Sequence, residues 1–141
     1  MTLRARLFLA FAFLTIAASA NAQETRREYY NVSVSLGREG RLAYYASPDA
    51  DCGTGIAPRI SVEEQPNYGK LAFRPDRLKA ISSAIPGRAE NCRGKFVDVT
   101  AVYYKPAKGY RGSDRAVLSV IFPASNGAAS TLYATIYISV R

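Results

Sequence analysis

Residues 130–140, STLYATIYISV, constrain the fold more than any other segment. Leu132, Ala134, Ile136, Ile138 and Val140 share one parity, and Tyr133, Thr135, Tyr137 and Ser139 share the other. Successive side chains of a strand point to opposite faces, so this alternation specifies a strand with one buried and one wetter face. A helix would scatter the same apolar residues around its circumference.

The alternation recurs upstream. Residues 29–36 place Tyr30, Val32, Val34 and Leu36 against Asn31, Ser33 and Ser35, and read as the first strand. Residues 37–40 form a turn, and strands follow over 41–46, 59–64, 70–74, 96–104 and 115–122. Residues 47–58, SPDADCGTGIAP, are loop chemistry throughout. Residues 23–28 are a charged lead-in, expected to be mobile. Residues 76–85 are ambiguous: Leu78, Ile81 and Ile85 fall at helical spacing after a possible Asp76 cap, and a helical turn or two or an irregular insertion both fit. Some seven short strands with turn signals between them predict an all-β antiparallel sandwich.

Residues 1–22 have the organisation of an export signal. Arg4 and Arg6 open it, an apolar run follows, and Ala20-Asn21-Ala22 is a cleavage site. The run is shorter than the roughly 20 apolar residues of a membrane span. No cysteine stands at the cleavage point for a lipid anchor. Removing 22 of 141 residues leaves one soluble domain, residues 23–141, expected in the periplasm or outside the cell. The leader takes two of nineteen basic residues and none of the eleven acidic ones, so the mature charge is +6. That bias favours acidic partners such as envelope polymers. Export makes nucleic acid a poor candidate.

Cys52 and Cys92 are the two cysteines. In an oxidising compartment such a pair most often forms a disulfide. No C-x-x-C motif or neighbouring base argues for a reactive thiol. The bond would close a loop of about 40 residues, a stabilisation of roughly 4 kcal/mol on the chain-entropy account.

The segment YYKPAKGYRGSD holds Tyr104, Pro106, Gly109, Tyr110, Gly112 and Asp114 in the spacing Y-x-P-x-x-G-Y-x-G-x-D. Each type has a physical use at a sheet-to-sheet corner. Pro106 ends a strand because it has no N–H for a ladder. Gly109 and Gly112 can supply positive φ. Tyr110 can bury its ring with its hydroxyl on a backbone acceptor. Asp114 can accept backbone N–H bonds from the loop. The set resembles the signature of bacterial immunoglobulin-like, cadherin-like domains of exported proteins. Pro66 and Gly69 in QPNYGKL resemble the P-x-x-G turn that opens an earlier strand in such domains. The resemblance covers roughly residues 60–140 and implies an immunoglobulin-like sandwich with a non-catalytic role. Two features depart from it. Ala116 stands where the first inward residue after the aspartate is usually aromatic, and residues 75–92 look like an insertion.

Catalytic chemistry has little to work with. The chain has no histidine, which removes the commonest general base and zinc ligand. Its one methionine is Met1, and no nucleophile-elbow, phosphate-loop or dinucleotide motif is present. Asp49 and Asp51 lack the glutamate of a calcium loop and read as turn residues. Glu63 and Glu64 are adjacent on a strand and are expected to face opposite ways. No metal or cofactor is expected. Asn31-Val32-Ser33 matches a glycosylation sequon but lies inside a strand.

The surface feature with most functional promise is the loop carrying Lys105, Lys108, Arg111 and Arg115 among Tyr103 and Tyr110. Cations beside aromatic rings suit sugars with acidic groups. The expected function is an exported, non-catalytic binding or structural module of the cell envelope. The alternative is a protein-inhibitor domain on the same scaffold. Lysozyme is basic, so its inhibitors should be acidic, and this chain is not. The NPTTGY-like and RPW-like loops of inhibitors of papain-like proteases are missing.

Overall fold

The computed structural model describes residues 24–47, 52–53, 55–79, 92–123 and 129–141. Seven strands follow in order: β1 (Thr25–Val34), β2 (Gly40–Tyr45), β3 (Arg59–Glu64), β4 (Gly69–Lys79), β5 (Phe96–Pro106), β6 (Gly112–Pro123) and β7 (Ala129–Val140). They form a four-stranded sheet ordered β1-β7-β6-β3 and a three-stranded sheet ordered β2-β5-β4. Lettered A to G along the chain, the sheets are A-G-F-C and B-E-D. That is an immunoglobulin-like order in which the first strand has left B for G.

β1 runs parallel to β7, with Thr25 opposite Thr131 and Val34 opposite Val140. The other strand pairs are antiparallel. The expected antiparallel β-sandwich is present, with this one parallel pair at its edge. One correction concerns the lead-in. Thr25 to Glu28 belong to β1, because an edge strand tolerates charged side chains that keep its free edge from pairing further. Another concerns Asp76 to Lys79, which continue β4. Pro75 is accommodated inside that strand because β4 is an edge and can lack a donor on its open side. The remainder of the ambiguous stretch, the expected leader of residues 1–22, and Asp49 and Asp51 lie outside the described residues.

The main core lies between the sheets. Leu132, Ala134, Ile136, Ile138 and Val140 of β7 are buried, as their alternation requires, with Leu118, Val120 and Phe122 of β6 and Val102 and Tyr104 of β5. Full burial of a side chain the size of Ile136 or Leu118 stabilises by about 1.5–3 kcal/mol. Val34, Leu42 and Tyr45 complete it from β1 and β2. Leu36 falls just past β1 and is exposed, so the inward series ends at Val34.

β5 also buries residues of the opposite parity. Val97, Val99 and Ala101 are buried in a second cluster with Ala46, Cys52 and Cys92. The β4–β5 register runs without a shift from Gly69–Pro106 to Lys79–Phe96. Val97, Val99 and Ala101 therefore face away from the main core, on the side of Tyr103. There the Cys52–Cys92 disulfide, with its Cα atoms 5.4 Å apart, packs on them. The expected bond is present and forms part of a cover over the outer face of the three-stranded sheet.

The registers also sort the connections. β3–β4, β5–β6 and β1–β2 turn at one end of the sandwich, where Gly112 pairs with Val140 and Gly69 with Pro106. The disulfide lies towards the other end.

Candidate functional site

Asp114 is the node of the corner end. It opens the inward series of β6 and is 6% exposed. Its Oδ1 accepts from the backbone N–H of Asn67 and of Arg115, each at 2.9 Å. Its Oδ2 accepts from the backbone N–H of Tyr68 at 2.9 Å and from the Tyr104 hydroxyl at 2.8 Å. The expected loop donors are thus corrected in part. Two of them come from the Pro66–Gly69 turn between β3 and β4, about 46 residues earlier in the chain. The two short motifs of the sequence are one structure, tied through a single carboxylate.

Tyr104 is the fully buried tyrosine of this corner, whereas Tyr110 keeps a partly exposed ring. Burial, and then the bond to Asp114, push the Tyr104 hydroxyl above the ordinary phenol range. Tyr110 stacks on Tyr68, with centroids 4.3 Å apart and planes 6° apart. Its hydroxyl donates to the Ser113 carbonyl at 2.5 Å, so the expected backbone acceptor is found. Burial raises its pKa too. The Ala107 N–H donates to the Tyr68 carbonyl at 2.7 Å and the Tyr110 N–H to the Ala107 carbonyl at 3.0 Å, which locks the two turns together. Pro106 is the buried last residue of β5. Gly109 and Gly112 have φ of 75° and 140°, the region that disfavours a Cβ. Ala116 is fully buried opposite Ile136, so the missing aromatic leaves a small residue at a core position.

Gly69 has a different reason to be glycine. A Cβ there would meet the Tyr104 ring at 2.2 Å from Cε2 and 2.6 Å from the hydroxyl oxygen. The ring is held by Asp114 and cannot swing aside. Gly69→Ala is therefore expected to destabilise by about 1–3 kcal/mol, as overpacking does. At Gly109 nothing lies within 4 Å of an added Cβ. Gly109→Ala should cost about 1–2 kcal/mol, from the left-handed backbone alone. Urea denaturation of the two variants checks the distinction: Tyr104→Ala should relieve Gly69→Ala and leave Gly109→Ala unchanged.

The four candidate cations do not form one cluster. Arg115 lies on the outer face of the four-stranded sheet, opposite Tyr137, and binds Glu64 through Nε at 3.0 Å and Nη2 at 2.5 Å. Lys105 lies on the outer face of the three-stranded sheet, opposite Lys70. Near it Glu39 takes both amino groups of Arg74, at 2.7 and 2.6 Å. Those bonds hold the Glu39 carboxyl below its usual range, and the charges of Arg74 and Lys105 add to the effect. Lys108 and Arg111 project from the loop itself, exposed and without an acidic partner among the described residues. Proximity along the chain groups all four. The strand parity of Lys105 and Arg115 around the corner was the signal that separates them.

Among the described residues no group of three or more histidine, cysteine or acidic side chains gathers to hold a metal. No described helix is long and apolar enough to cross a membrane. Glu63 is exposed and Glu64 is partly buried, with a register shift between Val62 and Glu64. No protein-family model matches the chain, and a search of curated proteins finds no relative for it.

Proposed function

We propose that the chain is an exported, non-catalytic immunoglobulin-like module that associates with acidic polymer of the cell envelope through its basic corner loop. The observation that carries the reading is the uneven distribution of ion pairs. Glu28, Glu39, Glu64, Asp76 and Asp98 each stand beside an arginine, while Lys108 and Arg111, like Arg38, Arg59, Lys70 and Lys95 elsewhere, are left to solvent, and these two share a loop with a fixed base. A fixed loop loses little conformational freedom when it meets a partner. The signal-like residues 1–22 and the +6 charge of residues 23–141 support export and an acidic partner. The corner motifs support kinship with the cadherin-like domains that they resemble.

Lys108→Glu/Arg111→Glu should abolish co-sedimentation of the mature protein with purified envelope at about 0.1 M salt and leave its melting temperature unchanged. The wild-type association should fade towards 1 M salt, as the Debye length shrinks from about 10 to 3 Å. Equal sedimentation of the two proteins, or none of wild type at low salt, would defeat the proposal.

A further inference from the structure

We infer that the outer face of the four-stranded sheet is a second binding surface, which takes the sugar rings of an acidic glycan. The inference is independent of the corner loop. It starts from β7, whose inward residues fill the core and whose outward residues are Thr131, Tyr133, Thr135, Tyr137 and Ser139. Tyr29 of β1 is paired opposite Thr135 and shares its face. Tyr133 and Tyr137 stand two residues to either side of Thr135, about 7 Å away along the strand. The three rings thus surround one threonine across two adjacent strands. Tyr29 is 64% exposed and Tyr137 is 43% exposed.

The charges on this face lean towards the positive, with three arginines to two glutamates. Arg27 holds its guanidinium 5.2 Å from the Tyr133 ring centroid. Arg59 is exposed, opposite Ile121, and Arg115 is opposite Tyr137. The acids on the outer side of β3 are Glu64, which Arg115 already engages, and the exposed Glu63 beside the register shift. Strand propensity explains why tyrosine and threonine are tolerated here. It does not explain why Arg27 lies over Tyr133 and Arg115 opposite Tyr137 while Tyr29 and Tyr137 stay open to water.

A sugar ring has an apolar C–H face that can lie on an aromatic ring, and hydroxyls that threonine and serine can bond. A carboxylate or phosphate on the sugar would meet the planar, multidentate guanidinium of Arg27 or Arg59. A flat sheet face suits an extended polymer better than a compact small molecule, which needs a concave site to bury it. The complementary occupant is therefore a polymer of acidic sugars.

The chain has no tryptophan to mask tyrosine emission, and these three rings contribute to it beside seven other tyrosines, so the variant below assigns the change to them. The mature protein is titrated with alginate oligosaccharides, a phosphate-bearing teichoic acid, and neutral dextran. The expected result is a saturable change in tyrosine emission with at least one acidic glycan and none with dextran. Tyr29→Ala/Tyr137→Ala should weaken the binding by about tenfold or more, with an unchanged melting temperature. Lys70→Glu/Lys79→Glu, on β4 of the three-stranded sheet, should bind these glycans within about threefold of wild type, since only screened long-range charge is altered. The inference is overturned if neither acidic glycan binds, if dextran binds as tightly, or if the tyrosine variant binds like wild type. If the loop variant still sediments with envelope and the tyrosine variant does not, the corner proposal fails and this face stands. Saturation only by a second copy of the chain, seen as a dimer in sedimentation equilibrium, also overturns it.

Discussion

Asp114→Ala is expected to lower the melting temperature of residues 23–141 by about 10–15 °C, a loss of roughly 3–4 kcal/mol for a domain of this size. The carboxylate receives four bonds, from Asn67, Tyr68, Arg115 and Tyr104. Alanine leaves all four donors without it. The backbone donors lie near the surface and can recover water in part. The Tyr104 hydroxyl cannot, because the whole residue is 0% exposed, and an unpaired buried donor costs about 1–3 kcal/mol by itself. Asp114→Asn should be intermediate, since its amide presents one oxygen to two donors but turns an NH₂ group towards the other two. Tyr104→Phe removes one donor and keeps the ring, so it should cost only about 1 kcal/mol. The hydroxyl also predicts an alkaline limit. Its pKa is raised in the folded protein from an unfolded value near 10.0, so its contribution is fully present below that pH. It is lost as the pH climbs towards the folded value. Tyr30 and Tyr45 are shifted in the same direction by burial. Calorimetric melting of the three variants checks the ranking, and a drop of under about 3 °C for Asp114→Ala would show that the carboxylate does not join the two turns.

How much of this was legible in the sequence depends on the range of the interaction. The alternation of β7 is local, and its burial follows residue by residue. The turns at Gly37, Pro66 and the corner are also local, because glycine and proline act on their own backbone. The Cys52–Cys92 pairing was legible because two cysteines allow one pairing. Three other features required knowledge of neighbours. The pairing of Thr25 to Glu28 comes from β7, about 106 residues away, and nothing in TRRE announces it. The helical spacing of Leu78 with Ile81 competed with a ladder to Val97 that only the fold reveals. Arg115 looked like part of a basic loop because its partner Glu64 lies on β3.

The second cluster of β5 did leave a trace. Ala101 and Val102 are adjacent apolar residues in a strand that otherwise alternates, preceded by Val97 and Val99 and followed by Tyr104. A register of period two cannot bury both sets on one face. Such a change of phase signals either a bulge or a strand covered on both sides. Here the β4–β5 ladder is continuous, so both sides are covered, each over a different part of the strand.

That double cover makes the disulfide the other position of large effect. Replacing both Cys52 and Cys92 with alanine is expected to cost about 4 kcal/mol or slightly more. Most of it would come from the unfolded chain, whose ends across a 40-residue separation are no longer joined. The rest is local. Cys52 and Cys92 are 4% and 1% exposed and cover Val97, Val99 and Ala101, which would regain water if the cover lifts. Cys52 also sits at φ 67°, a conformation unfavourable by about 1–2 kcal/mol for a residue with a Cβ, so the unbonded segment has reason to relax away. The two halves of the molecule should then respond differently. Amide hydrogen exchange should quicken in β4 and β5 from Asp76 to Lys79 and Phe96 to Thr100. The Asp114 corner should keep its protection until global unfolding, because no bond there passes through the cysteines. Uniform loss of protection at both ends would mean that the disulfide acts only on the unfolded state. An unchanged melting temperature would mean that the bond neither restrains the unfolded chain nor holds the cover in place.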